Sequence, residues 1–411
     1  TKSYSTRTSS LNLIPSRYVG LLSAVLGQCN VETATEYFSR SVNEFGNELV
    51  RRISESTDNH FVTSSLSPWT LLAAISFGAA EETLDELEHV LRLHKQRCFN
   101  RKFFEAVKGL SDVSDGVVFK RSATVFGDDR MRFRDSFKGQ LNATGVTKLE
   151  EINFDSADEV AATINEYVKS ATGGNIDEIV IPSDLYGIHV VFIDALYFKG
   201  TWQYKFDSAE TEPSPFYDSK GQQIGDVNLM FAEMKAKLIN FNQIEASVLQ
   251  LPYARNDRFS MLFILPNEGV TIPAVIDKLK NFSLFSIFVQ YMMTKEQTVL
   301  VQIPRFQISS DHSNLKELLQ DMGLKSMFDS GAKFPELAEY SLYVDNVMQK
   351  ATIEVTEEGS EASVASAATA GFRSMPVSVS FIANRPFLYM IVDRQTEIAL
   401  FTGAYSKPSL Y

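Results

Sequence analysis

The residue types that carry enzyme chemistry are scattered along this chain. Two cysteines cannot form a structural zinc site alone, and the five histidines have no spacing that would bring two of them to one metal ion. These histidines are His60, His89, His94, His189 and His312. No Gly-x-Ser-x-Gly elbow, His-Glu-x-x-His pair, Walker loop or dinucleotide-binding Gly-rich turn is present. The sequence therefore argues against an enzyme, a metal centre and a required cofactor.

One carboxylate stands in a segment that should be buried. His189–Phe198 is nearly continuous apolar sequence, which is typical of a central strand, and Asp194 lies inside it. A buried carboxylate needs hydrogen-bond partners, or else it takes up a proton. We expect Asp194 to belong to a buried hydrogen-bond network or to be an acid with a shifted pKa.

A second stretch is too poor in apolar side chains to pack into a core. Eleven of the thirteen residues from Gly359 to Gly371 are Gly, Ala, Ser or Thr, so the segment should be mobile or exposed. Its flanks, Ala351–Val355 and Val377–Ala383, alternate as half-buried strands do. A long loop between two strands is usually functional. The alternative is a linker between domains, but too little chain follows to form a second domain.

The overall composition limits partners and location. A net charge of −12 over 411 residues argues against a general nucleic-acid binder. No apolar run approaches the ~18–20 residues of a membrane span. Cys29 and Cys98 could form one disulfide or remain two buried thiols. Sequons at Asn142 and Asn281 permit glycosylation of an exported protein, and the opening Thr1–Tyr4 is typical of a processed product.

A basic segment interrupts this acidic chain. Between Arg92 and Lys108 the cations face a single acidic residue, Glu105. Such a cluster could bind a heparin-like sulfated polysaccharide or another polyanion, and the alternative is an ordinary solvated helix face. The candidate polyanion-binding residues are Lys95, Arg97, Arg101 and Lys102.

The elements that must position these residues are helices early in the chain and strands late, which is an α+β pattern. Thr33 with Glu36 forms a capping box for a helix over 34–53, and Ser67 with Pro68 starts a second helix. Strands are predicted over 245–253, 258–265 and 298–308. We find no Pro- or Gly-rich linker and no internal repeat.

Four stretches in this order resemble the serpins, a family of serine protease inhibitors. Two of them match a family helix and the central strand with its following turn, and two match the hinge and the C-terminal signature. They are Ser67–Ala79, Asp194–Trp202, Glu354–Ala362 and Phe381–Tyr389. The resemblance implies one serpin domain over 33–411 after an N-terminal extension, 1–32. It implies three β-sheets, eight or nine helices and a reactive-centre loop, exposed or inserted, at 357–376. The sequence of Val347–Ala351 is more similar to that of arthropod members of the family than to that of vertebrate members.

The resemblance also implies a mechanism and a location. A target protease cleaves the exposed loop and becomes an acyl-enzyme, and the freed loop then inserts into the central sheet and distorts the protease. The native state is therefore metastable, and stored strain drives the inhibition. We expect a secreted, extracellular, monomeric inhibitor that acts in a proteolytic cascade, with no nucleic-acid or membrane partner.

The family's spacing locates the bond that is cut. Fourteen residues beyond the hinge glycine, Gly359, the count reaches Arg373, followed by Ser374. A guanidinium pairs with the buried carboxylate in the specificity pocket of a trypsin-like serine protease. A shift of one residue would place Phe372 there and indicate a chymotrypsin-like target.

The predicted hinge is composed for insertion into a packed sheet. Alternate residues Ser360, Ala362, Val364 and Ser366 would face inward, and all are small or β-branched. No proline follows Glu357 before Pro376 to break a ladder. The hinge residues are Glu357, Glu358, Gly359, Ser360, Glu361, Ala362, Ser363, Val364 and Ala365. This composition favours an inhibitor over a non-inhibitory serpin that acts as a carrier, storage protein or decoy substrate.

The family's shutter and breach, which control opening of the central sheet, depart from the usual pattern. Asp194 stands where the family usually has Asn, and Gln349 where it usually has His. We predict that Asp194 and Gln349 bond each other or nearby hydroxyls, and that an ionising Asp194 makes the sheet pH-sensitive. The matching residues are Ser67, Thr70, Asp194, Trp202 and Gln349.

Overall fold

The structure is a computed structural model and describes residues 29–111, 116–254, 258–358 and 379–411. The predicted reactive bond, Arg373–Ser374, and the hinge residues Gly359–Ala365 lie outside these ranges. Glu357 and Glu358 lie inside them. Most of the predicted N-terminal extension, residues 1–28, is also outside.

Nine α-helices lie in the described ranges, and none of them is long and apolar enough to cross a membrane. The first begins earlier than predicted, because Asn30 rather than Thr33 is the N-cap. The second begins with Ser65 as the N-cap residue, so Pro68 lies in its first turn, where no backbone N–H is required. The helices are α1 Val31–Ser56, α2 Leu66–Ile75, α3 Glu81–Leu91, α4 Arg97–Lys108, α5 Asp135–Thr144, α6 Ala157–Thr172, α7 Ile272–Leu279, α8 Leu284–Met293 and α9 Leu315–Asp321.

Fourteen strands lie in the same ranges. The strands predicted over 245–253 and 258–265 are present, and the one predicted over 298–308 is two strands divided at Arg305. The strands are β1 Phe61–Thr63, β2 Val117–Asp128, β3 Lys148–Ile152, β4 Val190–Gly200, β5 Glu212–Tyr217, β6 Gln223–Phe241, β7 Ala246–Pro252, β8 Phe259–Pro266, β9 Gln297–Pro304, β10 Phe306–His312, β11 Asn346–Val355, β12 Val379–Ile382, β13 Phe387–Asp393 and β14 Ile398–Tyr405.

One sheet has five strands in the order β10-β11-β4-β2-β3. Its central strand, β4, is buried along nearly its whole length, as its apolar sequence predicted. The neighbouring β11 runs parallel to it, in register from Asn346 opposite Val191 to Ile353 opposite Phe198. The strand that enters the predicted hinge is therefore paired directly with the central strand.

The other nine strands form two sheets that share the long strand β6. One sheet has the order β1-β14-β13-β8-β7-β6, and in the other β6 pairs with β5 and β9, which in turn pairs with β12. The described residues thus contain three sheets and nine helices, which confirms the predicted α+β serpin fold class.

The helix that supplies polar groups to the sheet lies in the interior. Every residue of α2 is buried, and the indole of Trp69 donates to the carbonyl of Leu91 at the end of α3 at 3.0 Å. This packing fixes α2 against the rest of the core. The hydroxyls of Ser67 and Thr70 on α2 are consequently held at buried positions.

Cys29 and Cys98 form a disulfide, which decides between the two alternatives that the sequence left open. The bridge joins a position two residues before α1 to the first turn of α4 and spans 69 residues of sequence. It thereby attaches the beginning of the described chain to the helix that carries most of the basic cluster.

Removal of this bridge should destabilise the native protein. Because a closed loop restricts the unfolded chain, we expect the double variant Cys29→Ser with Cys98→Ser to lose about 2–4 kcal/mol of unfolding free energy. Urea unfolding followed by circular dichroism measures the change, and the wild-type protein reduced with dithiothreitol should match the variant. Equal urea midpoints for oxidised and reduced wild type would contradict the expectation.

Candidate functional site

A buried polar pair lies at the centre of the five-stranded sheet. Asp194 of β4 and Gln349 of β11 are direct partners in the parallel register, and neither side chain has solvent exposure. The Gln349 amide nitrogen Nε2 donates to Asp194 Oδ2 at 2.7 Å. This bond is one of the two alternatives that the sequence left open, the other being bonds to nearby hydroxyls, and it crosses the line along which β4 and β11 would separate.

Asp194 also bonds to helix α2. The hydroxyl of Ser67 donates to Asp194 Oδ1, and the Ser67 hydroxyl oxygen accepts a bond of 2.6 Å from Arg121 Nε. Ser67 therefore lies between a guanidinium and a carboxylate and bonds to both. Thr70 lies in the cluster, but its hydroxyl accepts from Arg121 and donates to the Ser67 carbonyl rather than to Asp194.

Arg121 is the member of this cluster that sequence reasoning missed. In the antiparallel register of β2 with β4, Ala123 is opposite Asp194, and Arg121 lies two positions away on the same face. Its neighbour Lys120 is exposed on the other face. A Lys-Arg pair in a strand does not indicate which of the two cations points inward. Only the pairing register of β2 with β4 indicates that Arg121 is the cation that faces Asp194.

The remaining hydrogen-bonding groups of Gln349 are satisfied by the last residue of β1 and the residue that follows it. Its Oε1 accepts from the Thr63 hydroxyl at 2.6 Å and the Ser64 N–H at 3.1 Å, and its Nε2 also donates to the Ser64 carbonyl. His312 of β10 is the cross-strand partner of Gln349 and lies 2.8 Å from the Val62 carbonyl. An imidazole thus lies one strand away from the position at which the resemblance leads us to expect one.

The electrostatics of the cluster centre on a carboxylate that is costly to ionise. Burial raises the pKa of Asp194 to about 6, although the charge of Arg121 and the hydrogen bonds from Ser67 and Gln349 act in the opposite direction. Burial also lowers the pKa of Arg121. Above pH 6 the cluster therefore contains a buried carboxylate whose compensating cation reaches it through a serine hydroxyl.

Trp202 closes the end of the sheet from which the predicted hinge departs. It follows β4, and its indole Nε1 donates to the Thr356 carbonyl just beyond β11 at 2.9 Å. Its ring stacks on Tyr253 with centroids 4.4 Å apart. Trp202 therefore bridges the ends of the two strands that would separate.

Glu357 is fixed on two sides at the same end. Its backbone carbonyl accepts from the Phe206 N–H at 3.0 Å, and its carboxylate accepts from the Thr211 hydroxyl at 2.7 Å. Arg305 lies 3.4 Å from the same carboxylate. Glu357 is 5% exposed, whereas the next residue, Glu358, is exposed. The described hinge thus begins with one buried, anchored glutamate.

The predicted basic cluster lies on and just before α4. Lys95, Arg97 and Arg101 are exposed, with the last two one helical turn apart. Lys102 is half-buried and pairs with Glu105 at 2.7 Å. Three cations of the predicted cluster are therefore exposed and close to one another in sequence.

The two sequon asparagines are accessible. Asn142 is exposed near the end of α5, and Asn281 is exposed in the connection between α7 and α8. Neither position is close in sequence to the residues of the central cluster.

Within the ranges that the structure describes, no three His, Cys, Asp or Glu side chains are grouped to hold a metal ion.

The fold and the cluster define a class of protein whose central sheet has two directly paired parallel strands, one of which leads into the predicted hinge. The Serpin family model, described as serine protease inhibitor, matches residues 40–408. The chain belongs to the serpin family. The prediction of an inhibitor rather than an enzyme is thereby confirmed at the level of the family.

Individual relatives agree with this membership. Serine protease inhibitor 2 of Anopheles gambiae is 30% identical over 385 residues, which are 89% of this chain and 91% of that protein. The crystal structure of Manduca sexta serpin-12 superimposes with a TM-score of 0.79 at 23% identity, covering 90% of this chain and 99% of that one. Human thyroxine-binding globulin gives a TM-score of 0.80 at 22% identity, with 90% and 98% covered. The two structures support the fold alone.

Asp194 should make native stability depend on pH. The pKa of Asp194 is about 6 in the folded protein, compared with 3.8 for an unperturbed aspartate. Between these values the folded state holds a proton that the unfolded chain has released, so the contribution of Asp194 to native stability is most favourable below pH 4 and falls as the pH rises through 6. A shift of this size corresponds to about 3 kcal/mol. Asp194→Asn should therefore lose less stability than wild type over this range.

Thermal unfolding midpoints of the native form from pH 4.5 to 8 test this expectation. The control variant is Glu166→Gln, because this glutamate is exposed on α6; it should keep the pH profile of the wild type. If Asp194→Asn and wild type gave parallel profiles, Asp194 would not be the titrating group.

Proposed function

We propose that this serpin is a suicide-substrate inhibitor of trypsin-like serine proteases, cleaved at Arg373–Ser374. The observation that carries the proposal is the direct parallel pairing of β4 with β11 over eight residue pairs. The chain leaves β11 at one end of this pair. A segment that folded back from there would run antiparallel to β11 and therefore antiparallel to β4.

This geometry provides a driving force for insertion. Parallel ladders are slightly less stable per residue than antiparallel ones. One inserted strand would replace a single parallel ladder with two antiparallel ladders, and it would bury its alternate residues on the sheet's inner face. The small side chains at Ser360, Ala362, Val364 and Ser366 suit that position.

The contacts at the site provide the barrier that keeps the native form from inserting its own loop. A strand that entered between β4 and β11 would break the Asp194–Gln349 bond, since each strand contributes one partner. Entry would begin at the end that the Trp202–Thr356 bond closes. The native state is therefore restrained at the centre and at the end of the same seam.

Cleavage supplies the trigger. The protease's serine oxygen attacks the carbonyl carbon of Arg373, and the bond to the nitrogen of Ser374 breaks, with that nitrogen leaving as an amine. An ester then joins Arg373 to the protease. Insertion of the freed segment would carry the ester-linked protease along the sheet before water can hydrolyse the ester.

A carrier or storage serpin is the rival function, and human thyroxine-binding globulin has a similar fold.

The reaction with trypsin distinguishes these functions. We expect an adduct that survives SDS, with a released fragment that begins at Ser374, and we expect Arg373→Ala to form no adduct. A protein that is cut without forming an adduct would be a substrate, and the inhibitor proposal would fail. A fragment that begins at Arg373 would instead indicate cleavage after Phe372.

A matched pair of hinge variants tests insertion itself. Ala362→Arg would place a charged side chain on the inner face of the inserted strand, so it should still be cleaved at Arg373 but form at least ~10-fold less adduct, since burying an unpaired charge is costly. Ser363→Arg would point the same side chain outward and should keep the adduct. The ratio of adduct to cleaved inhibitor on SDS gels measures both. Equal adduct yields from the two variants would contradict insertion.

We place the protein's action outside the cell, as a monomer. The Cys29–Cys98 disulfide supports export, because disulfides persist in oxidising compartments. The exposed positions of Asn142 and Asn281 are compatible with glycans at both sequons.

We further propose that the exposed cations Lys95, Arg97 and Arg101 bind heparin-like polyanions as a non-essential cofactor. Their proximity on an otherwise acidic chain supports this, because clustered cations attract a polyanion. Arg97→Glu with Arg101→Glu should elute from immobilised heparin at clearly lower salt than wild type. The exposed control Lys220→Glu should elute as wild type does. Unchanged elution of the double variant would remove this cofactor.

A further inference from the structure

The segment that follows β14, residues 406–411, forms a strap whose last residue lies at the end of the five-stranded sheet at which Trp202 and Glu357 are found. The contacts of the strap with this sheet end come from Tyr411.

The strap is docked along its length. The backbone N–H groups of Ser406 and Lys407 donate to His60 Nδ1 at 3.3 and 3.2 Å. Pro408 packs on β6 so closely that a Cβ added at Gly225 would lie 2.6 Å from its Cγ. A larger residue at 225 would displace the strap. These contacts place the last described residue, Tyr411, at the end of the five-stranded sheet.

Tyr411 contacts three different elements there. Its backbone oxygen accepts from Arg305 Nε at 2.6 Å and from Asn228 Nδ2 at 2.9 Å. Its hydroxyl donates to Glu354 Oε1 on β11 at 2.8 Å. The Arg305 guanidinium lies 6.0 Å from the centre of the Tyr411 ring. Burial and the hydrogen bond to Glu354 raise the pKa of Tyr411 to about 12, so the hydroxyl stays protonated.

These contacts converge on the hinge. Arg305 is the cation that reaches Glu357, and Tyr411 holds that arginine from its other side. Glu354 lies at the end of β11, one residue before the strand finishes. Tyr411 thus connects the end of β11 to β6. It also connects Arg305, the cation that contacts Glu357, to β6.

We propose that Tyr411 is a positioning residue that restrains opening of the sheet between β4 and β11 and so sets the rate of loop insertion. The inference rests on the proposed function. Separation of β11 from β4 at this end moves Glu354 relative to β6, and the hydroxyl–carboxylate bond opposes that movement. Loss of the bond lowers the barrier to insertion.

The test follows the sheet's opening rather than inhibition. A fluorescent peptide with the sequence of residues 359–372 is incubated with the full chain, and its annealing is followed on native gels. Tyr411→Phe keeps the ring and the backbone oxygen and removes only the hydroxyl. It should anneal the peptide about threefold to tenfold faster than wild type, as the loss of one solvent-exposed hydrogen bond of ordinary net strength predicts.

Two controls make the readout specific to this contact. In a Glu354→Ala background, where the acceptor is absent, Tyr411→Phe should cause no further acceleration. Tyr186→Phe removes a hydroxyl from an exposed tyrosine near the opposite end of β4 and should anneal at the wild-type rate. Circular dichroism verifies that each variant is folded.

The outcomes separate this inference from the proposed function. Wild-type annealing rates for Tyr411→Phe, or equal acceleration with and without Glu354, would overturn the strap's role even if the trypsin adduct forms. If wild type formed no trypsin adduct and accepted no peptide, the inhibitor proposal would fail and the inference with it.

Discussion

The hydrogen-bonded seam between β4 and β11 is the interaction on which the rest of the structure depends. Two parallel strands pair directly here, although the chain that leaves β11 could fold back as an antiparallel neighbour to both. The proposed insertion would give the sheet a more stable arrangement. The contacts around these two strands either hold the strands together or allow them to separate.

The strength of the contact between β4 and β11 depends on the protonation state of a buried carboxylate. Asp194 bonds across it to Gln349, and its compensating cation, Arg121, reaches it only through Ser67. A buried ion pair contributes little net stability, but removal of one partner is costly. Separation of the strands breaks one side of this network, so the cluster can act as a lock whose strength depends on the protonation of Asp194. His312, beside Gln349, adds a second titratable group to the same region.

The end of the seam is organised differently from its centre. Neutral and charged groups from distant parts of the chain meet at Glu357, including Thr211 and Arg305, and Tyr411 supports the last of these. None of them is buried as deeply as Asp194. An opening that starts at this end breaks these less deeply buried bonds first and reaches the Asp194–Gln349 pair later, which is the order that a strand entering from the hinge requires.

By itself, the amino-acid sequence determined the class of fold, the central apolar strand and the small-residue composition of the predicted hinge, and it limited the partners of Asp194 to Gln349 or nearby hydroxyls, because these are written in local pattern and in four specific motifs. It also indicated that Asp194 would be perturbed. It could not indicate Arg121, His312 or Tyr411, and it left the pairing of Cys29 and Cys98 open. Only the tertiary structure decided these, because each depends on strand register or on the approach of segments far apart in the chain, and neither leaves a trace in local sequence.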